Sequence, residues 1–310
     1  MIPALNHSIK KEKHFIFLAS CIYLCLGIFS FVSSGQNNSP SLELNGYYNT
    51  VGAIVSFLSV ILLGKIQSGG THRFTFGYER FIPLLTLVEG VMIFSVSQNA
   101  CAGAASLLFG GGSEGPITLK TLTSAVIITL LYLGTYVLHR KHLKIVGEEQ
   151  ILPKILLTRA KVILAYSMAI TVLFAAALGL QSINSTTIAT RYVEPVAIFV
   201  LVSLAMKSPM NQIFGSINQL LMGSPSKKEF DIISNTVSKV LKEIAPSEYL
   251  TRATKLGETL YLNITFYLNE DQSTTYSASH LRTIKNNLQA ALSNDYPIQN
   301  IDLMFASQNN

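Results

Sequence analysis

Residues 41–66 read SLELNGYYNTVGAIVSFLSVILLGKI. Glu43 and Lys65 stand near the two ends, and everything between them is uncharged. As a helix at 1.5 Å per residue the stretch is about 39 Å long, enough to cross the ~30 Å hydrocarbon core of a bilayer. The stretch therefore reads as a transmembrane span. Inside it sit two amides, Asn45 and Asn49. Four residues apart, they share one helix face at a side-chain separation of about 6 Å.

Five further stretches carry the same signature: 15–34, 81–109, 121–139, 157–180 and 193–213. The composition agrees, since the 310 residues are 49% hydrophobic and only 13% charged, with a mean hydropathy of +0.39. A soluble globular chain is more polar than this. The first span is too long for a signal-peptide apolar region, and no convincing small-residue cleavage site follows it, so it is expected to stay in the protein. Basic residues collect before span one (Lys10, Lys11, Lys13), between spans two and three (Lys65, Arg73, Arg80) and between spans four and five (Arg140, Lys141, Lys144, Lys154, Arg159). The alternate loops hold only Lys120 and Arg191. Lys and Arg mark cytoplasmic loops, so both termini are expected to be cytoplasmic, in a plasma or inner membrane.

The formal charge of +6 is unevenly placed. Residues 1–223 hold 15 basic and 8 acidic residues, against 8 and 9 in 224–310. The excess follows topology, and no nucleic-acid partner is expected. Cys21 and Cys25 share a face of span one and Cys101 lies in span three; small thiols there read as packing residues. No resident cofactor is called for. An enzyme is not expected either, because no nucleophile with its base, phosphate loop or membrane zinc motif is visible.

Residues 224–310 read as a separate small domain, and 1–223 as the six-span domain. In SPSKKEFDII (224–233), Ser226 and Glu229 form a capping-box pattern, followed by an apolar face of Phe230, Ile233, Val237, Val240, Leu241 and Ile244. ETLYLNITFYL (258–268) alternates apolar and polar residues and reads as a half-buried strand. A shorter strand is expected at 250–255, a helix carrying Leu281, Ile284, Leu288 and Leu292 after it, and a last strand at IDLMFA (301–306). The order αββαβ predicts an α+β, ferredoxin-like sandwich with helices on one sheet face.

Three elements carry a family resemblance. THRFTFGYERFIPLLTLVEG (71–90) resembles the FGY-x-R-x-E-P-L element of the cation diffusion facilitator (cation efflux) family through Phe76, Gly77, Tyr78, Arg80, Pro83, Leu84 and Gly90. RYVEPVA (191–197) is similar to the family's Y-x-D-P opening of span six, with Glu194 in the aspartate's place. NQLLMGSPSKKEF (218–230) resembles its passage into the cytoplasmic domain. The resemblance implies a homodimeric antiporter in a lipid bilayer, exporting a divalent cation such as zinc against protons, with a metal-sensing tail.

The family's metal site pairs two carboxylates on span two with a His and an Asp on span five, ligands suited to a borderline cation that also titrate. Here Asn45 and Asn49 stand at the span-two positions. On span five the register leaves either Lys161 with Ala165 or Val162 with Tyr166, and neither supplies a His or a carboxylate. Thr71, Phe74 and Tyr78 occupy the loop-site positions, and Thr265, Met304 and Ala306 those of the tail. All six histidines fall outside the spans or at their ends. The chain reads as a divergent member with a degenerate metal site.

Three ionisable residues remain inside the spans. Glu89 lies about 12 Å along span three, Lys207 about 21 Å along span six, and Lys161 near the start of span five. Charges in hydrocarbon pair or line polar cavities, so Glu89 is expected to pair with Lys207 or Lys161. Asn45 and Asn49 read either as interhelical hydrogen-bonding groups or as a cation cavity of neutral oxygens, with Glu43, Tyr47 and Tyr48 at its outer mouth. Glu194 reads as a helix cap at the start of span six, and Tyr78 and Arg80 as interfacial anchors of the loop. Two functions compete: a transporter with an altered ion or coupling, and a non-transporting relative acting as partner subunit, regulator or sensor.

Overall fold

A computed structural model of the chain describes residues 2–67, 71–74, 77–78, 80–113, 117–146, 151–183, 187–242, 248–256, 259–268, 278–293, 296 and 298–307. Phe76 and Ile244, both named above, lie outside the described residues. The chain divides into two compact units, Met1–Phe214 and Gly215–Asn310.

Helices fill the first unit: α1 (Ile2–Asn37), α2 (Pro40–Gln67), α3 (Phe81–Phe109), α4 (Leu119–Val146), α5 (Ile151–Ile183), α6 (Thr187–Ala205) and α7 (Lys207–Leu220), the last running on into the second unit. Six membrane-crossing candidates result, α6 and α7 together forming the sixth over Arg191–Leu220. In hydrocarbon every backbone N–H and C=O must bond within the protein, which is why such long helices form. Two prolines disturb span six, and each has a visible consequence. Pro209 has no N–H for the Ala205 carbonyl and its ring crowds it; the helix breaks at Met206, between α6 and α7. Pro195 likewise frees the carbonyl of Arg191, which accepts instead from the Ser113 N–H at 2.9 Å.

Small residues let the helices approach closely. A Cβ added at Gly90 on α3 would lie 2.9 Å from Ile213 Cγ1 and 3.3 Å from the Pro209 carbonyl, so only glycine fits that crossing. On α1, Ser20 reaches the Ala53 carbonyl of α2 at 2.9 Å. Such small and hydroxylated residues are the usual means of joining helices in lipid, where apolar burial offers no driving force. The turn from α1 to α2 is also specified locally. Asn38 adopts φ +48°, Ser39 N–H bonds back to the Ser34 carbonyl at 3.3 Å, and Pro40 opens α2. An Asn in the left-handed region followed by Pro at the first helical position stops one helix and starts the next.

The second unit contains α8 (Lys227–Leu241), β1 (Tyr249–Leu256), β2 (Thr259–Leu268), α9 (Ala278–Leu292) and β3 (Ile298–Ser307). Sheet order is β1-β2-β3, antiparallel between β1 and β2 and parallel between β2 and β3. Leu260, Leu262, Ile264 and Phe266 of β2 point into a core shared with Ile233, Val237, Ile284 and Leu288 of the helices. The αββαβ order read from the sequence is the order observed; β1 and β3 run two and four residues longer than expected, and β2 begins one residue later. Serine 226 accepts from the Glu229 N–H, and the Glu229 carboxylate accepts from the Ser226 N–H, completing the capping box.

Replacing that cap gives a local test. Ser226→Ala is expected to weaken the start of α8 by about 1 kcal/mol, read as faster amide hydrogen exchange over 227–231 with protection in β2 unchanged.

Candidate functional site

Asn45 and Asn49 are 1% and 0% exposed, on the face of α2 turned into the bundle. The Asn49 amide nitrogen donates to the Asn45 backbone carbonyl at 2.7 Å and to the phenol oxygen of Tyr132 on α4. The side-chain oxygens of both asparagines are buried and accept no hydrogen bond. The Asn49 amide nitrogen is thus satisfied inside the protein while the two amide oxygens are not. Gly27 of α1 packs close to this stretch of α2: a Cβ there would lie 3.2 Å from Thr50 Oγ1.

One residue earlier the helix faces elsewhere. The Tyr48 hydroxyl hydrogen-bonds Ser97 on α3 at 2.8 Å, and its ring meets Tyr166 of α5 edge-on, with centroids 6.2 Å apart. Tyr166 is buried, whereas Lys161 and Ala165 are exposed. Of the two readings of span five, the Val162–Tyr166 pair is therefore the one turned toward α2 and α3; Lys161 and Ala165 do not come to the asparagines. A phenol and an isopropyl group, neither of them a ligand for a borderline metal, line that face.

Tyr48, Tyr166 and Val162 line a cavity of about 360 Å³ that also includes Thr86, Glu89 and Ser97 of α3 and Ser208 and Gln212 of α7. Glu89 is only 4% exposed. Its expected pairing with Lys207 or Lys161 is not made: both lysines are exposed, and the ion pair found among the described residues is Lys255–Glu229 in the second unit. The physical reason is reach. A lysine's long stem carries its ammonium out of the bundle at little cost, whereas Glu89 sits on the buried face of α3.

Glu194 behaves differently from its expectation as a cap of its own helix. It is 4% exposed and accepts from the Ser39 hydroxyl at 2.5 Å and the Ser41 N–H at 2.8 Å. It caps α2 across the bundle. A carboxylate at a helix N-terminus meets unbonded N–H groups and the positive end of the dipole. Nearby, Glu43 and Tyr47 are exposed and hydrogen-bond each other at 3.1 Å, while Tyr48 points inward.

The other positions of the family pattern are also accounted for. Thr71, Phe74 and Tyr78 form a hydroxyl–aromatic cluster, with Thr71 Oγ1 3.4 Å from the Tyr78 oxygen and the Phe74, Tyr78 and Phe81 rings in contact. Thr265 pairs with Met304 across β2 and β3, and Tyr267 with Ala306. Among the described residues no three of His, Cys, Asp and Glu come together. Cys21 and Cys25 are exposed rather than packed, and Cys101 lies 3.8 Å from Ser203.

Sequence reasoning missed the inner stripe of α4. Thr121, Ala125, Ile128, Tyr132, Thr135, His139 and Leu143 are all buried, spaced three or four apart as one helix face requires. Their spacing was the available signal. His139, placed at a span end by the sequence, lies inside against Phe15 of α1 with ring centroids 5.3 Å apart, its Nδ1 2.8 Å from the Thr135 carbonyl.

Two substitutions probe these contacts. Glu194→Ala leaves the Ser39 hydroxyl and Ser41 N–H without their acceptor and is expected to cost about 1–3 kcal/mol, seen as a lower thermal midpoint of the purified protein. Tyr132→Phe removes only the acceptor of Asn49 and is expected to cost about 1 kcal/mol in the same assay.

Comparison with curated proteins gives no match. The family model described as the cation efflux transmembrane domain matches residues 16–221, about two thirds of the chain and all six apolar spans. With that match, the chain belongs to the cation efflux family, and is an integral multi-pass membrane protein with the architecture of a cation transporter.

Proposed function

We propose that this protein moves a cation by the family's bundle architecture but with an altered ion and without proton exchange at the span-two site. The observation that carries this reading is the pair of buried amide oxygens on Asn45 and Asn49, which accept no hydrogen bond although the Asn49 amide nitrogen is doubly engaged. Neutral oxygens suit hard cations, and they neither titrate near neutral pH nor hold a borderline metal as imidazole and carboxylate do. A cation bound there arrives without displacing a proton, so the exchange that metal and proton make over shared titratable ligands is lost.

In this reading the transmembrane domain covers 1–223 and a cytoplasmic domain 224–310. Both termini face the cytoplasm of a plasma or inner membrane, and the working unit is a homodimer. The basic loops support the orientation, and the family supports the dimer.

Reconstitution in sealed vesicles tests the reading. Flux of Na⁺, K⁺, Mn²⁺ or Zn²⁺ down its gradient is expected with no matching pH change inside, and Asn49→Ala is expected to lower it at least about tenfold, the effect of losing roughly 1.4 kcal/mol of binding. Absence of flux for all four ions, in vesicles where a competent relative works, would overturn transport and favour a partner-subunit or sensor role. For that role the observation is the lack of any three-ligand cluster among the described residues.

A further inference from the structure

In the second unit β3 lies at one edge of the sheet, with β2 as its neighbour. Alternate N–H and C=O groups of an edge strand point away from that neighbour, and no described residue outside β2 bonds the backbone of 301–304. Beside this edge runs a groove of about 440 Å³, lined by Leu281, Arg282 and Lys285 of α9 and by the four residues 301–304 of β3. Successive side chains of a strand point to opposite faces. Accordingly Ile301 is buried in the core while Asp302 and Met304 are exposed. A hollow that touches four residues in a row therefore follows the strand's edge and not one of its faces. Those four residues span about 13 Å. A helix on one side and an open strand edge on the other is the shape that receives an extended peptide as an added strand. Main-chain bonds then supply affinity, and the helix wall selects side chains.

Here the wall selects by charge. Among the described residues the ion pair found is Lys255–Glu229, so neither Arg282 nor Lys285 is bridged to Asp302 or to another described carboxylate. Three residues apart on α9, the two cations stand about 5–6 Å from each other at their bases; alternate residues of a strand stand about 7 Å apart on one face. Two carboxylates at alternate positions of an added strand therefore meet both cations. The residues between them fall on the sheet's other face, beside Asp302 and Met304. A second copy of β3 does not answer this pattern, because Ile298–Ser307 holds a single acidic residue, Asp302.

We propose that the groove between β3 and α9 binds an extended peptide with acidic residues at two alternate positions, which joins the sheet at β3 and sets its carboxylates on Arg282 and Lys285. The proposal holds whether or not the bundle transports a cation.

The test uses the full chain in phosphatidylcholine nanodiscs, with empty nanodiscs as the blank, and three peptides carrying a neutral dye. They are TVETETV, TVKTKTV, and TVETETV methylated on two adjacent central backbone nitrogens, so that one methyl faces β3 in either register. Wild-type protein is expected to bind TVETETV saturably and at least about tenfold more tightly than TVKTKTV, two exposed pairs of up to about 1 kcal/mol each being reversed in sign. Amide hydrogen exchange over 301–304 should slow when TVETETV is bound. Arg282→Glu combined with Lys285→Glu should invert the preference, with protection in β2 unchanged. Absence of binding, or equal binding of the glutamate and lysine peptides by wild-type protein, would overturn the proposal without recourse to any variant. So would a methylated peptide that binds as tightly as its parent, since charge alone would then account for the attraction, or a glutamate preference that survives the double reversal. Slow exchange over 301–304 without peptide, in nanodiscs holding two copies but not in those holding one, would give the edge to a second copy and overturn it as well.

Discussion

A polar side chain inside a bilayer has no water to fall back on, and the first unit is arranged around that constraint. Several polar groups reach a different helix: Ser20 of α1 to the Ala53 carbonyl of α2, Tyr48 of α2 to Ser97 of α3, Asn49 of α2 to Tyr132 of α4, Thr129 of α4 to Ser167 of α5. Every such bond fixes the rotation of two helices at once. Where apolar packing alone would let a helix turn about its axis, these contacts choose one face.

The same constraint explains how Glu194 is tolerated. Placed within a span, its carboxylate is costly unless donors meet it, and the start of α2 supplies two. The α1–α2 turn was already specified by Asn38, Ser39 and Pro40; Glu194 ties that turn to α6. Pro195 beside it releases the Arg191 carbonyl to Ser113, joining the α3–α4 connection to the same end of the bundle. One end of the unit is thereby held by side-chain and backbone acceptors drawn from a single turn of α6.

The asparagine pair on α2 and the cavity lined by Glu89 are distinct features of the bundle. Asn45 and Asn49 stand one turn apart on α2 and carry no charge, while the carboxylate of Glu89 lies on α3 among hydroxyls and rings. Tyr166 on α5 fills its space with a ring that packs against Tyr48. Among the described residues the bundle brings together no donor set for a borderline metal.

Length and hydropathy by themselves determined the six spans, because a bilayer demands about 20 apolar residues whatever the neighbours are. Period-two alternation in 258–268 and the Ser226–Glu229 spacing likewise determined β2 and the start of α8, since strand pleat and helix caps are local matters. Which face of each helix turns inward was not legible in the same way. Spans that face lipid are apolar all round, so hydropathy does not separate Tyr166 from Lys161, nor show that Lys207 points out while Glu89 points in. Only packing of α5 against α4 and α6, and of α3 against α2 and α6, decided those rotations, and only the meeting of α6 with the α1–α2 turn showed that Glu194 caps a helix more than 150 residues away in sequence.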